Sequence, residues 1–225
     1  MNELEPYLKS TNFLESDSPP VRALAARATE DATGEIAKAV ALYYPIRDGI
    51  RYDPYVMATD PEQYRASVVA ELPAAYCIQK AILLGATARA VGVPSRLGFA
   101  DVRNHLTSPK LRETMGSDLF VYHGYTELFL EGRWVKATPA FNLGLCQRFG
   151  VLPLEFDGRN DSIFHPFDAE NRRHMEYVRS HGSFADFPFE QVMAAFRREY
   201  PSLFGNLQAG PVRDELFRPS GSERR

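Results

Sequence analysis

Cysteine is the strongest nucleophile among the side chains of this sequence, and Cys77 stands at the predicted start of a helix. The attacking form is the thiolate, which the positive end of a helix dipole stabilises. The first N–H groups of such a helix have no intrahelical partner, so they can hold the oxyanion formed when sulfur attacks a carbonyl carbon. Cys77 is therefore the candidate nucleophile.

His123 is the candidate base for this thiol. It lies in a stretch of aromatic and β-branched residues, 119–130, that predicts a strand. A cysteine nucleophile needs an imidazole within hydrogen-bond reach. The order of elements, a helix that begins with Cys77, a strand, a connection and then a hairpin carrying His123, favours such a pair. The other cysteine, Cys146, is expected to be a small buried hydrophobe.

The helix that carries Cys77 is predicted over residues 76–91. Its clearly polar members are few, so other protein must cover nearly all of its faces. Gly92 can adopt the left-handed conformation that closes a helix, and Pro94 cannot continue one. A strand is then expected over residues 95–102.

A β-hairpin is predicted next, with Glu131 and Gly132 as its two-residue turn. The second strand is expected over residues 133–138. This turn sets a register that places Thr138 on the same face as His123. The pairs that follow from it are Leu130 with Arg133, Glu127 with Lys136, Tyr125 with Thr138, and His123 with Ala140.

The rest of the chain predicts further helices and little regular strand. Helices are expected over residues 21–28 and 33–46 before the core and over residues 188–200 after it. Short strand pieces are expected within residues 150–156. The segment 156–168 is expected to pack over one end of the sheet as a lid or wall.

One domain is therefore expected over residues 1–204. It consists of a helical preface (1–49), a core (about 50–142) and a decorating segment (143–204). Residues 205–225 are rich in Gly, Pro, Ser and charge without periodicity, and a mobile tail is expected there.

The core resembles the transglutaminase-like superfamily over roughly residues 50–142. The motifs that carry the resemblance are Tyr76-Cys77-Ile78-Gln79-Lys80-Ala81, Arg89-Ala90-Val91-Gly92-Val93-Pro94-Ser95-Arg96, His123-Gly124-Tyr125-Thr126-Glu127-Leu128 and Gly132-Arg133-Trp134-Val135-Lys136-Ala137-Thr138-Pro139. The resemblance implies a papain-like α+β fold in which the Cys77 helix packs on an antiparallel sheet, with extra N-terminal helices. It also implies acyl transfer on amides through a thioester, with Cys77 as nucleophile and His123 as base.

The third catalytic position departs from the family pattern. The resemblance implies an Asp, in a Trp-x-x-x-Asp-Pro arrangement, that orients the base, and this sequence has Thr138 there. A Thr hydroxyl can accept the imidazole N–H but supplies no counter-charge. Asn142 is an alternative third member, and Asp157 or Asp161 could fold back from a later loop.

Three further residues are expected to contact the substrate or to support the catalytic pair. Gln79 lies in the first turn of the Cys77 helix. Arg96 lies on the following strand, where it binds a substrate carboxylate or pairs with a buried acid. Tyr125 belongs to the same group. His105, in a polar connection, either contacts the substrate or is a solvated loop residue.

No metal and no cofactor are expected. The remaining histidines are too widely spaced for a compact zinc site, and the sequence shows no nucleotide-binding feature. These histidines are His165, His174 and His181.

The composition fits an ordinary globular domain, with 44% hydrophobic and 24% charged residues among 225. A formal net charge of −3 gives no excess of basic groups for nucleic acid. No run approaches the roughly 18 apolar residues of a membrane span, and the acidic first residues differ from a signal peptide, which favours a cytoplasmic protein. The expected partner is a peptide, protein or small amide substrate, and the oligomeric state is not indicated.

Two other functions fit the sequence. A non-catalytic binding domain on the same fold is favoured by the absence of an aspartate at position 138. Acyl transfer from a thioester donor such as acetyl-CoA, in the manner of arylamine N-acetyltransferases, is the third possibility.

Overall fold

The computed structural model describes residues 3–105, 108–163 and 175–202, together with Asp214 and Phe217. The helices in these residues are α1 (Pro19–Ala28), α2 (Glu35–Gly49), α3 (Ala66–Val69), α4 (Cys77–Ala90), α5 (Pro109–Met115), α6 (Leu143–Phe149) and α7 (Phe189–Glu199). The strands are β1 (Arg51–Tyr52), β2 (Ala74–Ala75), β3 (Ser95–Asn104), β4 (Leu119–Leu130), β5 (Arg133–Ala137) and β6 (Met175–Phe184). Short 3-10 turns lie at Glu5–Tyr7, Pro54–Val56 and Pro61–Tyr64.

Four of the strands form one antiparallel sheet in the order β5-β4-β3-β6, while β1 and β2 form a separate parallel pair. The predicted hairpin is confirmed, with Leu130 opposite Arg133 and Glu127 opposite Lys136. The ladder stops at the pair Thr126 and Ala137, so the two pairs predicted beyond it do not form. The reason is local, because the N–H of Thr138 donates to the carbonyl of Ser162 at 2.9 Å.

Helix α4 is the centre of the molecule, as the sequence predicts. Every residue from Cys77 through Arg89 is buried. Helices α1, α2 and α3 pack on α4 from one side, and β3 and β4 pack on it from the other. The hydroxyl of Thr126 on β4 donates to the Ala81 carbonyl of α4 at 2.8 Å, which ties the sheet to the helix. The predicted α+β class, a Cys-bearing helix on an antiparallel sheet with extra N-terminal helices, is confirmed.

The segment after the hairpin differs from the prediction. Residues 150–156 form no strand, since Gly150 ends α6 and the chain then runs without regular structure. The structure adds α5, α6 and the edge strand β6, none of which was predicted. The helix predicted over residues 188–200 is confirmed as α7.

Parts of the last two segments lie outside the described residues. Phe156 is buried and its ring centroid lies 5.1 Å from that of Tyr43, whereas residues 164–168 of the predicted lid are not described. Most of the predicted mobile tail is likewise outside the description, and its two described residues pack on the core. Within the described ranges, no helix has the length and apolar character needed to cross a bilayer.

Candidate active site

Cys77 is the first helical residue of α4. Tyr76 before it is extended (φ −106°, ψ −179°), which turns the chain into the helix there. The side chain of Gln79 caps the turn, since its Oε1 accepts the N–H of Tyr76 at 3.2 Å and its Nε2 donates to the Gln63 carbonyl at 2.9 Å. Both ends of the Gln79 amide are thus engaged in holding the helix start.

The thiol of Cys77 is buried, with 7% of the residue exposed. Burial raises the pKa of this thiol to about 11, although the backbone N–H groups of Gly124, Ile78 and Cys77 act in the opposite direction. The sequence predicts a stabilised thiolate, but in this conformation desolvation outweighs the helix start. The same N–H groups are placed to bind charge that develops beside the sulfur.

His123 follows an irregularity in β4. The register between β3 and β4 shifts between Ala100 and Val102, and Tyr122 adopts a left-handed backbone with φ 52°. The Oδ1 atom of Asp101 accepts the N–H of Tyr122 at 3.0 Å and contacts Nε2 of His181 at 2.6 Å. This buried carboxylate therefore holds the backbone that precedes His123.

Cys77 and His123 line one cavity, which we call the catalytic cavity. It encloses about 470 Å³ of unfilled space, part of it open to solvent. The other lining residues are mostly apolar or aromatic: Tyr52, Pro54, Met57, Tyr76, Leu111, Met115, Phe120, Val121, Tyr122, Phe196 and Tyr200. The two candidate catalytic residues are thus brought together in a largely apolar enclosure.

Burial lowers the pKa of His123 to about 3, even though a hydrogen bond with the Gly124 backbone acts to raise it. Because the pKa of Cys77 is raised and that of His123 is lowered, both groups are neutral at pH 7. The resting state of these two side chains is therefore a neutral thiol and a neutral imidazole rather than a thiolate-imidazolium ion pair.

Helix α7 closes one side of the catalytic cavity. The Tyr200 hydroxyl donates to the Leu119 carbonyl at 2.8 Å and accepts the N–H of Val121 at 2.6 Å, so it holds the edge of β4 just before His123. Tyr52 stands on the other side, and burial, followed by the neighbouring Cys77, holds its pKa well above the usual range. These aromatic walls were not predicted, because their sequence positions carry no shared motif.

The two candidates for the third catalytic residue, Thr138 and Asn142, differ in the hydrogen bonds that their side chains form. The hydroxyl of Thr138 is buried and has no hydrogen-bond partner among the described residues. The Asn142 Oδ1 instead accepts the N–H of Tyr52 at 3.0 Å. Neither Thr138 nor Asn142 is among the described residues that line the catalytic cavity.

The two acidic residues that follow in the sequence, Asp157 and Asp161, accept hydrogen bonds from backbone N–H groups. The Asp157 carboxylate accepts the backbone N–H groups of Asn160 and Arg159, which lower its pKa to about 2, and it is exposed. The Asp161 Oδ1 accepts the N–H of Lys136 at 2.9 Å. Neither carboxylate folds back over the catalytic cavity.

Arg96 and Tyr125 lie away from the catalytic pair. Neither residue is among those that line the catalytic cavity, and the Tyr125 ring packs over Gly98 on one face of the sheet. On that face Arg96 forms an ion pair with Glu127, and its guanidinium lies 4.1 Å from the Trp134 ring centroid. Of the two roles predicted for Arg96, the structure shows pairing with an acid.

The remaining candidates from the sequence are His105, a metal site and Cys146. Nε2 of His105 lies 3.3 Å from a carboxylate oxygen of Glu176 on β6. Across the described ranges, no group of three or more His, Cys, Asp or Glu side chains is placed to hold a metal ion. Cys146 is buried on α6, and burial raises its pKa to about 11.

A comparison with known protein families identifies the class of protein to which this fold belongs. The model of the transglutaminase-like superfamily matches residues 22–139, slightly more than half of the 225 residues. The chain therefore belongs to the transglutaminase-like superfamily. The match begins within α1, so it includes part of the predicted helical preface as well as the core.

Two solved structures are similar to parts of this chain. A protein from Cytophaga hutchinsonii provisionally named a cysteine protease is 17% identical, with a TM-score of 0.49 over 81% of this chain and 54% of that one. A protein from Parabacteroides distasonis provisionally named a protease is 16% identical, with a TM-score of 0.38 over 60% of this chain and 25% of that one. This chain thus spans about half of the length of the first protein and a quarter of the length of the second. No curated protein matches the sequence.

Proposed function

We propose that this protein is a cysteine-dependent acyl-transfer enzyme that acts on amide bonds, with Cys77 as nucleophile and His123 as base. The observation that carries the proposal is the catalytic cavity, which the first residue of α4 and a histidine of β4 both line. The substrate class is a peptide, a protein or a small amide.

The reaction begins from the neutral pair. As the sulfur of Cys77 attacks the amide carbonyl carbon, His123 takes the thiol proton, and the C–S bond forms while the carbonyl π pair moves to oxygen. When the tetrahedral intermediate collapses, the C–N bond breaks and His123 returns the proton to the leaving amine. A thioester on Cys77 remains, and water or an amine then releases the acyl group.

The oxyanion of the tetrahedral intermediate needs donors that are fixed before the reaction. The N–H groups of Cys77 and Ile78 open α4, and the N–H of Gly124 reaches the sulfur from β4. In a largely apolar enclosure such donors stabilise developing charge more than they would in water. We assign the oxyanion site to these backbone groups.

Thr138 is the proposed third member. Its buried hydroxyl, with no partner among the residues that the structure describes, is available to accept an imidazole N–H, whereas the oxygen of Asn142 already accepts the N–H of Tyr52. Thr138→Val should lower turnover while leaving the unfolding midpoint within a few degrees of the parent. A turnover unchanged by Thr138→Val would transfer the role to another residue.

The proposal is tested with p-nitrophenyl acetate as an activated acyl donor. We expect a burst of one equivalent of p-nitrophenolate and a matching acetyl adduct on Cys77, read by mass spectrometry. Cys77→Ala should abolish the burst and His123→Asn should slow it at least 100-fold. Cys146→Ala is the matched control, because Cys146 is also a buried thiol whose pKa is raised to about 11.

Two results would count against the proposal. Acetylation of Cys77 and Cys146 at the same rate would remove the distinction that the catalytic cavity is meant to supply. A chain that binds peptides equally well with and without Cys77, and that never forms the adduct, would be a binding domain on the same fold.

A further inference from the structure

His123 lies beside an irregularity in the pairing of β3 with β4. Ala100 is opposite His123 and Val102 is opposite Phe120, which leaves Asp101 outside the regular pairing. A bulge of this kind bends a strand locally and re-aims its side chains. Because successive side chains of a strand point to opposite faces, a slip of one residue here would turn His123 out of the catalytic cavity. The register at Asp101 therefore decides whether His123 lines the cavity.

A second irregularity lies on the other side of β3. The register between β3 and β6 shifts between Phe99 and Ala100, where His181 is the extra residue of β6. The side chain of His181 is 9% exposed, and its Nε2 lies 2.6 Å from Oδ1 of Asp101. Since a carboxylate can only accept a hydrogen bond, Nε2 carries the hydrogen of this contact. The two irregularities thus meet at the carboxylate of Asp101.

Tyr122, the residue before His123, has a backbone conformation that a side chain disfavours. Its φ is 52°, in the left-handed region that residues other than glycine rarely adopt. Oδ1 of Asp101 accepts its N–H at 3.0 Å, and the ring of His181 stacks on its ring with the centroids 3.8 Å apart. From α7, Nε2 of Gln191 donates to its hydroxyl at 2.8 Å. Such a conformation persists only where the surrounding structure imposes it, and these three contacts do so.

We propose that Asp101 and His181 are positioning residues for His123. They fix the left-handed turn at Tyr122, and that turn sets the register and the direction of the imidazole. His181 keeps the carboxylate of Asp101 aimed at the Tyr122 N–H, and neither is among the described residues that line the catalytic cavity. The inference rests on the proposed function, in which His123 is the base. The role differs from that of Thr138, which is proposed to accept a hydrogen bond from the imidazole itself.

The first test measures the rate at which p-nitrophenyl acetate acetylates Cys77. Asp101→Ala should slow acetylation at least ten-fold, because a displacement of about 1 Å in a reacting group can cost about 100-fold in rate. Asp101→Asn keeps an acceptor for the Tyr122 N–H, so its rate should stay within about three-fold of the parent. In a His123→Asn background, Asp101→Ala should change the remaining rate less than two-fold, since Asp101 acts only through His123.

A residue that merely supports the fold would give a different pattern. Asp101→Ala would then slow acetylation by the same factor with and without His123, and that result would overturn the proposal. An unchanged rate in folded Asp101→Ala would overturn it as well. If Asp101→Ala does not fold, His181→Phe is the second variant, because it removes the hydrogen bond to Asp101 and keeps a ring beside Tyr122. It should slow acetylation by a smaller factor, and again only when His123 is present.

The second test uses nuclear magnetic resonance and needs no catalysis. In protein that contains isotope-labelled histidine, the ring signals of His123 and His105 are assigned by their loss in His123→Asn and His105→Asn. Asp101→Ala should shift the ring signals of His123 and leave those of His105 in place. Glu176→Gln is the matched control and should do the reverse, since the Glu176 carboxylate lies 3.3 Å from Nε2 of His105.

The resonance test separates this inference from the proposed function. Ring signals of His123 that do not change in Asp101→Ala would overturn the positioning role even if the parent forms the acetyl adduct. A parent that forms no adduct would defeat the proposed function instead, and the ring signals would still show whether Asp101 fixes the position of His123.

Discussion

At the residue scale, burial more than charge sets the state of the proposed catalytic pair, Cys77 and His123. Desolvation raises the pKa of Cys77 to about 11 and lowers that of His123 to about 3, which keeps both groups neutral at pH 7. The sequence predicted the elements that carry both residues, a helix start and a strand of a hairpin, and both elements are confirmed. It could not locate the walls that exclude water, and those walls reverse the expected direction of the thiol pKa.

The buried neutral state of His123 makes stability depend on pH. An unfolded histidine takes up its proton near pH 6.5, whereas folded His123 does so near pH 3. Between these values the unfolded state binds one more proton, so the free energy of unfolding should fall as pH falls, by up to about 1.4 kcal/mol per pH unit. When urea unfolding is measured from pH 7 to pH 4, the free energy of unfolding of His123→Asn should fall less steeply than that of the parent.

The control for this measurement is His105→Asn, at a histidine with 31% of its side chain exposed. The His105→Asn substitution should alter the dependence of the free energy of unfolding on pH less than His123→Asn does. Equal slopes in the parent and in His123→Asn would mean that His123 is not held in a buried neutral state.

Lys80, one turn after Cys77, is a second residue whose role depends on burial. Its Nζ donates to the carbonyls of Arg47, Ile50 and Ala140, all at 2.8 Å. Burial lowers the pKa of Lys80 to about 7, but the three acceptors favour the ammonium form, because only that form can donate to all three. Lys80 therefore joins α4 to the end of α2 and to the segment after the hairpin.

Removing this donor should destabilise the whole domain. Lys80→Met leaves three buried carbonyls unsatisfied, and we expect a loss of about 3 kcal/mol or more in the free energy of unfolding. Urea unfolding measures it, with Lys110→Met as the control at a lysine whose side chain is 52% exposed. A loss below about 1 kcal/mol would show that water replaces the ammonium at these carbonyls.

At the scale of elements, the site depends on how closely β4 approaches the first turn of α4. A Cβ on Gly124 would lie 3.0 Å from Cα of Ile78 and 3.2 Å from its Cγ1. A side chain at position 124 would thus crowd the helix where the strand crosses it, directly beside His123. The N–H that contacts the Cys77 sulfur belongs to the same residue.

Gly124→Ala should separate the two elements. Because the obstacle includes the helix backbone, it cannot be relieved by a rotamer change, and we expect a loss of about 1–3 kcal/mol in stability. The acetylation burst should fall at least ten-fold at a temperature where the variant is folded. Gly49→Ala, where a Cβ meets nothing within 4 Å, is the matched control. A folded Gly124→Ala variant with full burst activity would contradict this account of the site.

The sequence predicted the elements with strong end signals and missed those whose fold depends on partners. Helix α4 and the β4-β5 hairpin have clear boundaries, and both are confirmed. Strand β6 was missed because most of its residues are exposed, so it shows no apolar alternation. It exists because β3 offers it a pairing edge.

The short helix α5 could have been recognised from its ends. Ser108 caps it by accepting the N–H of Leu111 at 3.1 Å, Pro109 occupies its first position, and Gly116 ends it in a left-handed conformation with φ 69°. This is the usual order of helix start and stop signals. The contacts of Asp214 with Ser108 and of Phe217 with Tyr52, in contrast, join residues more than 100 positions apart, and no local pattern reports them.

At the scale of the whole molecule, residues far apart in sequence meet at both ends of α4. At its first turn lies the catalytic cavity, which α5, α7 and β4 help to enclose. At its last turn lies Arg89, which is buried. Its guanidinium donates to the carbonyls of Lys9 at 2.7 Å, Ser95 at 2.8 Å and Ala185 at 2.5 Å. One side chain therefore holds the N-terminal segment, the start of β3 and the approach to α7.

Arg89→Met should loosen all three attachments at once, since it leaves their carbonyls without a charged donor. We expect a loss of about 3 kcal/mol or more in the free energy of unfolding, and faster limited proteolysis within the first ten residues. Arg89→Lys keeps the charge but cannot reach three divergent acceptors, so its free energy of unfolding should lie between those of Arg89→Met and the parent. If α7 is loosened with the N-terminal segment, iodoacetamide labelling of Cys77 should also rise, because Phe196 and Tyr200 wall the catalytic cavity. Stability lost without any change in labelling would show that the two ends of α4 are energetically independent.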